Sequence, residues 1–554
     1  MLTKFSSGRV YDPTAGWRGE VRDLYVQDGR FVARPDERVV PDRTIDLDGS
    51  IVMAGAIDLH THIGGGKVTL AKMLLPEAIR RESCPGGAGG FLPTTRITGQ
   101  RYAAMGYSAC FEPAVIACNA RQAHAEMADT PLIDTGGYCL LGNDDRLLRM
   151  IGSQVDQAVI NDYVAWMVTA TQCLAVKVVN AGGISAFKFN QRQLDIDTPH
   201  PAYGTTPGQV IRVLARAVHE IGLPHPLHVH CSNLGIAGNI ESTLKTIEAA
   251  DGLPLHLTHV QFHSYGDEGP HGFSSAAQRI ADALRKHPQV TIDVGQVMFG
   301  QTVTISADTM HQYASRGLAK PRKSVLVDIE CEGGCGVVPF RYRKRRFVNA
   351  LQWAIGLELF LMVDDPSRVF LTTDHPNGGP FTTYPHLLRL LGDRSFRETA
   401  LAEIHPDAAA ASQLAGFDRE YGIDEIAMMT RAAPARILGL TELGRLTPGA
   451  IADLTVYHEA ADLEKMFARP AWFFRHGEAV VRDGQVIGEA VGEVPKRTWT
   501  ARPAFDAETP RRLADAWQGP AGDGSDFQTL WIDDDEMAER LGTPVATVPT
   551  ERTR

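Results

Sequence analysis

Asp58-Leu59-His60-Thr61-His62 closes an apolar run and is followed by Ile63, three glycines and Lys67. If that run is a strand, His60 and His62 project from one side of it, because side chains alternate along an extended chain. Two imidazoles on one face can chelate a metal ion, and the glycines let the backbone turn beside them without steric bulk. Taken alone the pair is a weak signal, since such dipeptides arise by chance as satisfied polar residues near a loop.

Residues of the same chemistry recur at the ends of other apolar runs. "PLHVHCSN" carries His228 and His230, "PLHLTHVQFH" carries His259 and His263, and "VFLTTDHPNGG" carries Asp374. "CLAVKVVNAGG" sets Lys177 inside an otherwise apolar strand, where a cation is costly unless it is neutralised, paired or chemically altered. Nitrogen and oxygen donors without thiolate suit a catalytic zinc site with open positions. The eight cysteines are scattered and form no CxxC pair, so neither a disulfide framework nor a cluster site is expected. Cys331 and Cys335 in "CEGGCG" read as reduced thiols in a loop.

These residues need a scaffold that brings distant strand ends together. The middle of the chain alternates short apolar strands with helical stretches such as "GQVIRVLARAVHEIG" and "SAAQRIADALRKH". That alternation predicts parallel α/β architecture, and its length suits a (β/α)8 barrel over 55–436. In such a barrel, histidines and an aspartate at separate strand ends converge at the mouth. The two chain ends differ from the middle: Asp28-Gly29 and Asp483-Gly484 each interrupt β-rich runs in the manner of a two-residue hairpin. Residues 1–54 and 437–500 are therefore expected to form one small β-sandwich from both ends. The Pro-, Asp-, Glu- and Arg-rich remainder, 501–554, is expected to be an extension or partner-docking arm with little core. With 55 basic against 66 acidic residues the net charge is −11, which recommends no nucleic-acid partner. The start lacks the apolar segment of a signal peptide and no apolar run reaches spanning length, so a cytoplasmic location is expected.

The order HxH, Lys, His, His, Asp resembles the amidohydrolase superfamily, specifically its dinuclear members with a carboxylated lysine. "RAAPARILGL" followed by "GRLTPGAIADLTVY" resembles that superfamily's return into its β-sandwich. The wording of "GAIDLHTHIGGGKV", "AVKVVNAGG", "HVHCSNLGIAGN", "LTHVQFHSYG", "DVGQVMFG", "CGVVPF" and "LTTDHPNGGPFTTYP" is similar to one family within it. That family comprises the A subunits of formylmethanofuran dehydrogenase and of the bacterial formyltransferase/hydrolase complex, and the resemblance covers about residues 1–500.

The resemblance implies two zinc ions per chain. His60 and His62 would hold one with Asp374 beside it, His230 and His259 the other, and Lys177, as N6-carboxylysine, would bridge them. His230 is preferred to His228 as nearer the mouth, His259 to His263 as closing its strand, and Lys177 to Lys188 of "SAFKFN". The implied reaction is hydrolysis of the N-formyl group of a methanofuran-type cofactor to formate and free amine, with Asp374 relaying the proton. Implied partners are a formyltransferase subunit or, in the archaeal arrangement, a molybdenum or tungsten dehydrogenase subunit. Three softer candidates surround the metals. Lys67 could attract formate or an acidic substrate, and Asn233 and Gln296, just beyond strand ends, could orient a polar ligand. The basic run "RYRKRRF", 341–347, is either a solvated helix start or a dock for a polyanionic cofactor tail or a partner. A dihydropyrimidinase-like cyclic amidase and a non-catalytic scaffold are the alternatives. No dinucleotide fingerprint or cluster spacing supports redox chemistry in this chain alone.

Overall fold

The structure, a computed structural model, describes residues 1–75, 95–305, 336–487, 494–517 and 529–551, so Cys331 and Cys335 lie outside the described residues. Its centre is a ring of eight parallel strands: β1 (Ala56–Asp58), β2 (Tyr107–Val115), β3 (Asp134–Leu141), β4 (Ala175–Val179), β5 (Leu227–His230), β6 (Leu255–Leu257), β7 (Val290–Asp293) and β8 (Val369–Phe370). Each pairs with the next in chain order. The ring closes beyond the strands proper, where Thr61 and His375 form a parallel bridge and the His62 N–H donates to the His375 carbonyl at 2.9 Å. This is the expected (β/α)8 barrel.

Helices on the outside bury the strands from that side, which is why the strands read as continuous apolar runs. The helix Pro207–Glu220 is typical: Thr206 and Gln209 form a capping box, Pro207 opens the first turn, and Val210, Ile211, Leu214 and Val218 are buried on one face. Phe347–Met362 is apolar around its circumference and almost wholly buried.

Register explains what fills the barrel. Lys177 of β4 pairs with His228 of β5, and His228 pairs with His256 of β6. Directly paired residues of parallel neighbours face the same side, so these three form a polar tier where branched aliphatics usually stand. His230 lies two residues further along β5, one tier nearer the mouth.

The run "IVMAGAIDLH" proves to be two strands, not one. Gly55 divides it: Ile51–Ala54 joins the sheet of the chain ends, and Ala56–Asp58 starts the barrel. A Cβ at Gly55 would stand 2.6 Å from Ser108, so the crossing point needs a glycine. His60 and His62 consequently lie past β1, held extended by the Thr61–His375 bridge.

Among the described residues the chain ends form a nine-stranded sheet. Its long strand, Leu2–Asp12, is bulged between Phe5 and Gly8; its first half pairs with Arg43–Asp46 and its second with Ile51–Ala54. The sheet thereby folds over a core of Phe5, Val10, Leu24, Phe31, Val52, Leu454 and Phe474. Both Asp-Gly pairs are hairpin turns with positive φ at each residue, as that two-residue connection requires.

The final segment departs from the expectation of an arm with little core. Thr498–Ala501 pairs in parallel with the start of β3, and Val545–Val548 pairs with it in turn, extending the barrel sheet. Trp499, Ala501, Leu513, Ile532, Met537 and Val548 are buried. The apolar residues are too widely spaced in sequence to announce a core, and only their packing against the barrel collects them. No helix among the described residues is long and apolar enough to cross a membrane.

One ionic knot fastens these parts. Fully buried Arg475, in the end sheet, donates to Asp134 at the start of β3 at 2.7 Å and lies 3.1 Å from Asp453. Asp134 also accepts from the Arg497 N–H and from Trp499 Nε1, at 3.0 and 3.2 Å. Arg475→Met would strand two buried carboxylates, and removing one partner of such a pair costs about 3–5 kcal/mol. A markedly lower denaturant midpoint is expected; a midpoint equal to wild type would show that the knot carries no stability.

Candidate metal centre

His60 and His62 lie at the closure of the ring, and both point Nε2 at the same oxygen. His60 Nε2 is 3.0 Å and His62 Nε2 3.4 Å from Asp374 Oδ1. Their rings are nearly perpendicular, with centroids 5.6 Å apart, so the two nitrogens approach from different directions. Each ring is fixed through its other nitrogen. His62 Nδ1 meets Glu112 Oε1 at 2.8 Å, and Glu112 Oε2 accepts the N–H groups of Ile63 and Gly64 at 2.7 and 3.1 Å. His60 Nδ1 lies 2.5 Å from Thr258 Oγ1, 2.9 Å from His228 Nε2 and 3.2 Å from Asp293 Oδ2.

The second cluster stands across the barrel mouth. The His230 and His259 rings are 4.6 Å apart at 81°, and His263 is 5.1 and 5.3 Å from them. His259 lies past β6 with φ of 35°, outside the strand it was expected to close. That conformation turns its side chain back toward His60, whose ring centroid is 5.6 Å away. Lys177 is buried on β4 and makes no hydrogen bond or ion pair among the described residues. Lys188 is exposed at the end of the short helix Gly183–Lys188 and faces none of this.

Burial sets the electrostatics. It pushes the Lys177 amine below its usual value, against the opposing pull of Asp374, Asp293 and Glu112. Burial would raise the Asp374 and Asp293 carboxyls, but the histidines around them hold both well below the usual carboxylate range. Burial alone would likewise lower His62; the carboxylates of Glu112 and Asp374 outweigh it and place the group at about 9.

His62, Lys177, His230, His259 and Asp374 all reach one cavity of about 670 Å³, while His60 lies beneath it. Lys67, in the first turn of the helix Gly66–Leu74, is on its wall, with Phe262, Phe340, Tyr342 and Phe347 giving an apolar side. Within the basic run, Arg341 and Tyr342 end the strand Val338–Tyr342, Arg343 to Arg346 are exposed just before the helix that starts at Phe347, and Arg346 lines the cavity. His228 sits one tier too deep, against His60 and His225.

Two soft candidates lie away from the cavity. Asn233 donates to Ser242 Oγ at 2.9 Å, and Gln296 donates to the carbonyls of Val297 and Trp353 at 2.9 and 3.0 Å. Neither lines the cavity; both amides serve loops. Glu112 and Asp293 were missed. Glu112 in "ACFEPAV" carries the same signal as Lys177, a charge in an apolar strand, and was legible on that ground.

The donor set fits cations. Ligand atoms of His60, His62 and Asp374, and of His230, His259 and His263, each lie within 4.8 Å of one another, and His259 Nδ1 is buried with no hydrogen-bond partner. An orphaned imidazole nitrogen at a cluster of neutral and anionic donors is what a divalent metal satisfies.

The amidohydrolase family model matches residues 43–487. The chain is 44% identical over 553 residues to the A subunit of the formyltransferase/hydrolase complex Fhc of Methylorubrum extorquens, covering 98% of both chains. It is 38% identical over 511 residues to "Protein FwdA" of Methanocaldococcus jannaschii, covering 88% of this chain and 89% of the other. In the crystal structure of the Methylorubrum extorquens FhcABCD complex with methylofuran, one chain matches at TM-score 0.91 with 42% identity, over 99% of this chain and 100% of that one.

Because Glu112 fixes the ring that presents His62 Nε2, Glu112→Gln should weaken metal binding about 10–100-fold, the usual effect of losing an outer-shell carboxylate. Chelator competition on metal-free protein measures this; wild-type affinity would make the Nδ1 contact dispensable.

Proposed function

The chain belongs to the amidohydrolase family, and from that premise we propose that it is a dinuclear zinc hydrolase cleaving the N-formyl group of a methanofuran-type cofactor. Its products are formate and the free amine. It acts in the cytoplasm as one component of a formyltransferase/hydrolase complex, beside a formyltransferase, in tetrahydromethanopterin-linked one-carbon metabolism. The observation that carries this reading is the convergence of His60, His62, Lys177, His230, His259 and Asp374 around one cavity. The 44% identity over 98% of the chain to the Methylorubrum extorquens Fhc A subunit supports the complex, and the methylofuran in the matched FhcABCD crystal structure supports the substrate class.

His60, His62 and Asp374 would hold one zinc and His230 and His259 the other, with Lys177 as N6-carboxylysine between them. A pair of such ions, when bound, supplies a water activated at neutral pH and a Lewis acid for the formyl oxygen. The uncharged amine that burial favours at Lys177 is the form that adds carbon dioxide to become a carbamate. The remaining work falls to the chain. Asp374, held ionised by its histidine neighbours, accepts a proton from the attacking water. As the C–N bond breaks, it returns that proton to the amine nitrogen, without which the amine is a poor leaving group. Lys67 on the cavity wall attracts the anionic product or acidic groups of the substrate. The aromatic wall excludes water and takes the apolar part of the cofactor. Hydrolysis and its reverse use the same groups, so the residues set no direction.

Metal analysis tests the reading. Wild type should carry about two zinc per chain, as a two-metal site requires, with a sharp fall in Lys177→Ala. Asp374→Asn should lower formate release at least about 10²–10⁴-fold, the range that general acid–base catalysis spans. Wild-type protein that binds no metal even after reconstitution with zinc and bicarbonate would overturn the mechanism and favour a scaffold role.

A further inference from the structure

Asp293 closes β7 and is fully buried, yet it is outside both ligand sets just assigned. Its two oxygens face different halves of the metal centre. Oδ1 accepts the backbone N–H of His259 at 2.6 Å. Oδ2 lies 3.0 Å from His256 Nε2 and 3.2 Å from His60 Nδ1. One carboxylate thus touches a ring of the first cluster and the main chain of the second.

Both contacts bear on orientation. His60 Nδ1 can carry one proton, and Asp293, His228 and Thr258 can each accept it. A ring that gives Nε2 to a cation keeps its one proton on Nδ1, and the Asp293 carboxylate is the charged acceptor on that side; without a cation, Asp374 Oδ1 stands 3.0 Å from Nε2 and competes for the proton. At His259 the backbone has φ of 35°, sparsely populated for a residue with a side chain, so something must over-determine it. The segment after β7 does so. Asp293 holds the N–H, the Val294 carbonyl accepts the Gln261 N–H at 3.2 Å, and Gly295 leaves room for His259, whose Cβ would stand 2.3 Å from a Cβ there.

Resting on the two-metal reading above, we infer that Asp293 is a positioning residue that aligns both metal half-sites at once, through the tautomer of His60 and the backbone of His259. Asp293→Asn separates the two roles. Its amide oxygen still accepts the His259 N–H, while its NH₂ group faces His60 and His256. The amide donates to His60 Nδ1 and drives the proton to Nε2, the ligating nitrogen. Asp293→Ala removes both contacts.

The experiment titrates metal-free full-length chain with Zn²⁺ against a chelator and with Co²⁺ followed by its visible absorption. Thermal midpoints of the metal-free proteins are compared alongside. Asp293→Asn is expected to retain one site at wild-type affinity and to weaken the other about 10–100-fold, as loss of an outer-shell partner does; Asp293→Ala is expected to weaken both. Wild-type affinities in either variant, or loss of the same single site in both, would overturn the inference. A third measurement needs no variant at residue 293. ¹⁵N-histidine spectra of zinc-loaded wild type, with His60 assigned by difference against His60→Gln, should show Nδ1 protonated and Nε2 metal-bound, and metal on Nδ1 would overturn the proposal. Wild type that binds no metal would sink the two-metal reading together with this inference, whereas metal-binding wild type whose affinities neither variant changes would sink this inference alone.

Discussion

Polar groups buried without partners cost about 1–3 kcal/mol each, and far more if charged. The interior of this barrel is built around that constraint. Lys177, His228 and His256 occupy one tier, with His60, Asp293 and Asp374 above or beside them, all nearly inaccessible to water. Almost every polar atom there is answered by another: His225 by His228, His228 by His60, His256 by Thr291 and Asp293. Among the exceptions, two are informative. His259 Nδ1 has no hydrogen-bond partner, and the Lys177 amine has neither a hydrogen bond nor an ion pair among the described residues. Both border the cavity, where a ligand or a modification can answer them.

The histidines divide their nitrogens accordingly. On His60 and His62 the Nδ1 atoms face inward to carboxylates, Asp293 and Glu112, and the Nε2 atoms face Asp374. Anchoring one nitrogen leaves the ring a single orientation, so a cation would find its donors already aimed. This preorganisation is drawn from different strands: Glu112 from β2 and Asp293 from β7. Barrel closure brings them to rings that lie just past β1.

The parts outside the barrel support this arrangement mechanically. The end sheet and the C-terminal segment meet at Asp134, near the foot of β3, so the ionic knot there braces the opposite end of the barrel from the site. At the mouth, the antiparallel pair Gly300–Thr304 and Val338–Tyr342 carries Thr304, Val338, Phe340 and Tyr342 into the cavity wall. Tyr342 also donates to the Asn377 carbonyl at 3.0 Å, tying that strand pair to the loop that holds Asp374.

By itself the sequence determined the alternating architecture, the hairpins at Asp28-Gly29 and Asp483-Gly484, and the strand-end histidines, aspartate and buried lysine from which the cavity's polar groups are drawn. These are local properties: apolar runs, turn chemistry and chemically costly residue types in apolar strands. Glu112 was equally legible by that rule. Only the tertiary structure decided the rest. Whether His228 or His230 reaches the mouth depends on strand register, and Gly55 parts one apolar run into two sheets through contacts with Ser108. Asn233 and Gln296 occupy promising positions in sequence but spend their amides on Ser242, Val297 and Trp353. The final segment joins the barrel sheet because β3 offers it an edge, a fact its own composition does not contain. Asp293 is the clearest case. An aspartate at a strand end is unremarkable in sequence, and its importance comes from two partners, 34 and 233 residues away, that only the closed barrel places on either side of it.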